Sequence, residues 1–354
     1  MFSYARLLRS CIATVLLSFF CAGMALAQKW VKLAQFPEPS EEVAGAAAGG
    51  KLYVFGGLGP EWTPKGLVYE YDPATDKWTK KKPMALPSHH VALSELNGKI
   101  YVMGGFVRPP SGPTAWVPIN NAWEYNPESD TWKALAPVPT KRGSPVAATV
   151  NGKIYVIGGA STHPGSKETG VHFARPHRSV DSNEVYDPAT NTWETRSSLP
   201  TARNHAAVGV VNNKIYVIGG RVGAAFMVVP ASATDIVEEY DPATDQWGVL
   251  KRSMPTPRSA MSWGTYKGRI YVAGGEMRTQ HLWGAFRAVE AYDPATNNWS
   301  TLPPIPVPRH GHAGDIMGNR LHVVSGDVQS LGGGKPPGIQ IEANMHDALE
   351  LPDK

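Results

Sequence analysis

The sequence predicts an all-β fold, a six-bladed propeller with four antiparallel strands in each blade, and three observations carry that prediction. A short motif, "GKIYVMGG" at Gly98 to Gly105, has near-copies at Gly50 to Gly57, Gly152 to Gly159, Asn213 to Gly220 and Gly268 to Gly275, and a worn sixth, "NRLHVVSG", at Asn319 to Gly326. A second motif follows the first five copies: "YEYDPATDKW" from Tyr69, "WEYNPESDTW" from Trp123, "EVYDPATNTW" from Glu184, "EEYDPATDQW" from Glu238 and "EAYDPATNNW" from Glu290. The pair repeats at intervals of about fifty residues, the length of one propeller blade.

Each strand follows from residue chemistry. The first motif opens on turn residues, alternates Ile, Tyr and Val, and ends on paired glycines, which reads as a turn and then a buried strand. In the second, a strand ends on Tyr, Asp-Pro-Ala-Thr-Asp makes a tight turn, and Trp opens the next strand. Every unit therefore has strand a before the turn, b ending on Gly-Gly, c ending on Tyr and d starting on Trp. The sixth unit reaches only a c strand, "MHDALEL", and lacks its Tyr-Asp-Pro and Trp. At the other end of the chain, "KWVKLAQFPEP" from Lys29 carries a Trp with no strands before it. The N-terminal strand is expected to complete the last blade, closing the ring and removing an unpaired edge.

The Gly-Gly, Tyr and Trp positions resemble the kelch repeat over nearly all of residues 28–354, which are expected to form one domain. Residues 1–27 differ: Arg6 and Arg9 precede the apolar run "CIATVLLSFFCAGM", and Ala25 to Ala27 offers small residues for cleavage. This is a signal-peptide pattern, so the chain is expected to be exported, periplasmic or secreted, without stable membrane insertion. Cleavage before Gln28 takes two of the 34 basic residues and none of the 30 acidic ones. The near-neutral remainder lacks the clustered positive excess of a nucleic-acid-binding surface. It also loses Cys11 and Cys21, the only cysteines, so core and topology must hold the fold.

Function is expected on the face that carries the b–c and d–a connections. The a–b and c–d turns are short and nearly constant, whereas the b–c loops are long and all different, and variable loops on a rigid scaffold are where binding resides. Histidines and arginines gather on that face. Sixteen residues before the first glycine of each pair (Ser325 in the sixth unit) stand Ser40, Ser88, Arg142, Arg203, Arg258 and Arg309. Equivalent positions at the start of the innermost strand are expected to encircle the pore mouth, where guanidinium forks can grip a carboxylate or phosphate. The alternative is that each arginine pairs with a carboxylate in the neighbouring blade. Arg221, Arg278, His89 and His90 join the candidate ligand-binding residues, as do Trp62, Trp116 and Trp283, which either stack on a ligand or pack their own loops. The loop histidines His163, His172 and His177, with His89 and His90 one blade back, lack a nearby fixed carboxylate or helical spacing, so neither a metal site nor a cofactor is expected.

Two functions are weighed. The first is a binding or interaction module whose loop face holds a sugar, an anionic metabolite, an acidic peptide or a protein partner. The second is an enzyme: exported six-bladed kelch proteins are similar in build to bacterial sialic acid mutarotases. That resemblance implies an arginine holding the sugar carboxylate and His205, His310 or Glu276 moving the proton. Kelch propellers also resemble the copper-radical galactose oxidases, whose cofactor needs a tyrosine cross-linked to cysteine. Residues 28–354 contain no cysteine, which excludes that chemistry.

Overall fold

Six four-stranded antiparallel sheets stand around a central axis in a computed structural model that describes residues 28–59, 62–112, 114–172, 177–225, 233–279, 281, 283–329 and 341–352. In the third blade the strands run outward from the axis as Val146–Val150, Lys153–Ile157, Asn183–Asp187 and Thr192–Arg196. The innermost strands of the other blades are Glu41–Ala48, Ala92–Leu96, Ala207–Val211, Ser262–Tyr266 and Ala313–Met317. The signal segment expected at residues 1–27 lies outside the described residues. Among those described, no helix is long and apolar enough to cross a membrane.

The ring closes as the unpaired tryptophan demanded. Trp30–Lys32 pairs antiparallel with His346–Glu350, Trp30 facing Leu349 and Lys32 facing Asp347. Trp30 behaves like every other d-strand tryptophan. Its indole N–H donates to the Pro303 carbonyl of the preceding blade at 2.9 Å, as Trp78 donates to Ala34, Trp193 to Ala136 and Trp299 to Arg252.

The turn before each of those tryptophans is a second seam. Asp76, Asp130, Asn191, Asp245 and Asn297 sit in left-handed backbone (φ 52–55°), a conformation that Asp and Asn tolerate better than most side chains. Each accepts the hydroxyl of the tyrosine five residues earlier, from Tyr240 at 2.6 Å to Tyr71 and Tyr292 at 2.8 Å. Each also accepts a backbone N–H from the preceding blade, at Ala34, Lys82, Ala136, Ser197 and Arg252. One polar side chain thus joins two blades while satisfying a buried phenol. Between the sheets lie apolar layers such as Phe55, Val102 and Tyr125, or Tyr155, Val217 and Tyr240.

The paired glycines carry the inner seam. Gly105, Gly159, Gly220 and Gly275 donate backbone N–H groups to the carbonyls of Arg142, Arg203, Arg258 and Arg309 in the next blade, at 2.8–3.0 Å. The approach leaves no room for a side chain: a Cβ on Gly158 would lie 2.5 Å from the Arg203 carbonyl oxygen. After the glycines the chain rises into the b–c loops. Three of these begin with two-stranded ribbons, Phe106–Val107 with Val117–Pro118, Ala160–Thr162 with His177–Ser179, and Glu276–Arg278 with Trp283–Ala285, and in the fourth blade Arg221–Val222 pairs with Arg203–Asn204 of the segment before the innermost strand.

Candidate functional site

The arginine register points into the blades, which corrects the expectation that it opens on the pore. Arg142, Arg203, Arg258 and Arg309 are fully buried, and each guanidinium pairs with an acid of its own blade, not of the neighbouring blade as the alternative had it. Arg142 donates to the Val156 carbonyl and pairs with Glu184 at 3.0 Å. Arg258 pairs with Glu290 at 2.5 Å and Arg309 with Asp347 at 2.9 Å, while Arg203 does the same with Glu238. Each acid stands on strand c opposite the valine whose carbonyl the arginine binds. In the first two blades serine replaces arginine, and the c-strand position holds Tyr69 or Trp123 instead of an acid. The two substitutions travel together, so the register is a blade clamp with both charges paired.

Two residues further along, the six-fold repetition breaks. The equivalent positions are Glu42, His90, Ser144, His205, Ala260 and Gly311. All six adopt left-handed backbone, φ 52–58°. Five of them are chained around the axis by backbone hydrogen bonds, Ser144 N to His90 O, His205 N to Ser144 O, Ala260 N to His205 O and Gly311 N to Ala260 O, and Gly311 O accepts from Val43 N beside Glu42, all at 2.9–3.2 Å. Holding five non-glycine side chains at positive φ costs about 1–2 kcal/mol each, and the surrounding seams fix them there. This ring crowns an axial cavity of about 340 Å³ enclosed by the six innermost strands. Ser94, Thr149, Thr265 and Asp315 line its far end.

Glu42, His90 and His205 converge at the crown. His90 Nε2 lies 2.9 Å from Glu42 Oε2, and the rings of His90 and His205 stand edge to face with centroids 4.7 Å apart. His205 Nε2 is 3.2 Å from Ser144 Oγ, and its Nδ1 contacts Asn204 Oδ1. The Asn204 amide is itself fixed, donating to Ser179 Oγ at 2.7 Å and to the Ala224 carbonyl at 3.0 Å. His89 Nδ1 and His90 Nδ1 are 2.5 Å apart. Glu42 has room for its carboxyl because blade six offers glycine: a Cβ on Gly311 would lie 3.0 Å from Glu42 Cδ.

The electrostatics follow from burial and neighbours. Burial alone would raise the Glu42 carboxyl, but His90 in contact, with His205 and His310 behind it, holds it well below the usual range. Burial pushes the adjacent Glu41 well up, aided by Glu42, Asp327, Glu342 and Glu276. His89 and His205 are pushed well down, by burial first and, for His205, by Arg221 and His90.

The remaining candidates divide. Arg221 and Glu276 pair with one another, Arg221 also donating to Ser259 Oγ at 2.9 Å, and His310 Nε2 stands 3.7 Å from Glu276. None of the three lines the cavity. Of the proposed proton-moving residues, only His205 does. Trp116 is buried against His89, His90 and Phe106, and half-buried Trp62 packs on it at 5.7 Å, so both roof the histidines. Arg278 pairs through its backbone with Trp283, whose side chain lies outside the described residues. His163 is exposed, and His177 Nε2 accepts the Ala225 backbone N–H at 2.9 Å.

Sequence reasoning missed Glu42, Ser144 and Asn204. Counting fourteen residues back from the first glycine, where the types differ blade by blade, finds the ring.

Comparison with known proteins now places the architecture. A family profile described as the attractin/LZTR1 β-propeller matches residues 24–229, and one for the KLHDC2/KLHL20/DRC7 kelch-repeats domain matches residues 173–326. The chain belongs to the kelch-repeat β-propeller family. Among its relatives, kelch-like protein terF of Aspergillus terreus is 30% identical over 296 residues, 82% of this kelch chain and 61% of the relative. Kelch repeat and BTB domain-containing protein 12 of Homo sapiens is 29% identical over 188 residues, 51% of this chain and 29% of the relative. Beta-scruin of Limulus polyphemus is 27% identical over 215 residues, covering 59% and 22%. This kelch chain thus spans under two thirds of the length of each. A solved structure titled "Structure of YjhT" superposes with a TM-score of 0.71 over 91% of this chain and 98% of that one, at 19% identity, a likeness of fold.

Proposed function

We propose that this kelch propeller is a binding module that takes a small, hydroxyl-rich molecule of sugar size in its axial cavity, with the Glu42–His90–His205 crown as the contacting group. One observation carries the reading: at the ring that lines the cavity the blades place different side chains, and Glu42, His90 and His205 converge there, whereas two residues earlier four blades repeat one paired arginine. Ligand pockets run from about 300 to 1,000 Å³, so a cavity of about 340 Å³ suits a monosaccharide and excludes a folded peptide. Ser94, Thr149 and Thr265 supply neutral hydrogen-bonding groups along its wall. With the four register arginines paired inside their blades and Arg221 paired with Glu276, the crown favours neutral or cationic ligands over the anions that the arginine pattern suggested.

A mutarotase or epimerase is the second reading, favoured by His205 and the Glu42–His90 pair facing one cavity. Export through residues 1–27 would put either activity in the periplasm or outside the cell, and mass spectrometry of the mature chain tests this, a start at Gln28 being the expected result. The decisive experiment is saturation-transfer NMR against neutral, amino and acidic sugars, with anomeric exchange followed on every hit. Binding of neutral or amino sugars that His205→Ala abolishes supports the module, and accelerated exchange adds the enzyme. Binding only of acidic sugars, or only of a protein on the loops with the cavity irrelevant, overturns this reading.

A further inference from the structure

We infer that Glu42, His90 and His205 form a binding site for a divalent transition-metal ion of the zinc type, held at the crown of the axial cavity. The inference goes beyond the ligand reading and stands without it. One ligand atom from each of the three residues lies within 4.8 Å of the other two, the closest His and carboxylate atoms being 2.9 Å apart. Zinc bonds of about 2.0–2.2 Å place ligand atoms about 3–4 Å from each other, so small side-chain rotations close the set around an ion. Two imidazoles and one carboxylate are a ligand set used by zinc sites that keep an open position.

The supports behind the ligands are those a metal site requires. A ligating imidazole is normally oriented by a partner on its other nitrogen. His205 has one in Asn204 Oδ1, and that amide cannot flip, because its nitrogen is committed to Ser179 and the Ala224 carbonyl. His205 Nδ1 therefore carries the proton and Nε2 presents its lone pair toward the crown. His90 has its partner in His89, whose Nδ1 can accept from His90 Nδ1–H once His90 Nε2 turns from Glu42 to a metal. The backbone contributes rigidity, since all three ligands sit at the same left-handed register position in blades one, two and four, His90 and His205 within the chain of inter-blade hydrogen bonds and Glu42 next to Val43, whose N–H donates to the Gly311 carbonyl. All three line the cavity, which supplies an entry path and leaves the fourth position to water or to a chelating hydroxyl of a bound molecule. Among the described residues the salt-bridge partner of Glu42 is His90, which is itself one of the ligands.

The test uses full-length, untagged protein stripped with a chelator, titrated with Zn²⁺ by calorimetry and with Co²⁺ by visible absorption. One ion per chain with micromolar or tighter affinity is expected. Glu42→Gln, His90→Ala and His205→Ala should each weaken it at least 100-fold, and Asn204→Ala about ten-fold, the scale of a lost supporting partner. Because a variant at the ring could fail to fold, X-ray absorption of the wild-type zinc complex provides an independent reading, with two imidazoles in the coordination shell expected. Absence of stoichiometric binding, affinity unchanged in the three variants, or a shell without imidazole would overturn the assignment.

Discussion

The arginine register and the ring two residues beyond it share the segments that lead into the innermost strands, yet they do opposite work. At the first, four blades repeat one arginine, one acid and one valine carbonyl, and every charge is consumed inside the blade. At the second, six blades carry six side chains of five types, and three of them meet across the axis. Repetition marks what each blade needs to stand, and departure from it marks what the assembled disc presents once.

The largest effect should come from breaking a clamp. Arg258→Ala leaves Glu290 buried without its partner, a loss of about 3–5 kcal/mol in denaturant unfolding. Replacing both partners, Arg258→Met with Glu290→Leu, should recover most of that, because well-packed apolar residues often substitute for a buried ion pair. Loss of Zn²⁺ or ligand binding by the folded double variant would break the division of labour drawn above.

The closing blade sharpens it through pH. His322 stands where other blades place tyrosine, with Nδ1 2.9 Å from His346 Nε2, and burial, with Arg320 adding, pulls it down to about 4. Its folded value lies below the unfolded one, so the neutral form is favoured. The associated stability is complete above about pH 6.5 and is lost as pH falls toward 4, up to about 3 kcal/mol at about 1.4 kcal/mol per unit. Denaturation midpoints across that range should fall less steeply in His322→Tyr than in wild type, the remaining slope coming from His89, His205, His312 and His346, which burial also holds down.

Ring substitutions should cost less. His205→Ala gives up a cavity-lining side chain and one or two hydrogen bonds, about 1–2 kcal/mol, while removing binding. The smallest effect is expected at Ala260, a non-glycine residue at φ 55°. Ala260→Gly relieves that strain at the expense of unfolded-chain entropy, for a net change of a few tenths of a kcal/mol by calorimetry.

Most of the architecture was legible because it is written six times. Strand endings, turns and the circular closure through Trp30 followed from motif spacing alone. The clamp was legible too, in that Glu184, Glu238, Glu290 and Asp347 occur only in blades that carry the arginine, a correlation visible in the sequence once both positions are compared. The crown was not. Glu42, His90 and His205 come from three blades and gain meaning only when the ring closes and brings them within 4.8 Å. Glu42 is further hidden beside Glu41 in the segment "PSEEVAG", where neither acid repeats in another blade.

The most direct test measures unfolding free energy and Zn²⁺ affinity together for alanine variants of both registers: Arg142, Arg203, Arg258 and Arg309 against Glu42, His90 and His205. The arginine variants should lose about 3–5 kcal/mol and keep the affinity of their folded fraction, and the ring variants should lose affinity with a smaller stability loss of about 1–2 kcal/mol. Arginine variants that fold normally but no longer bind would contradict the account.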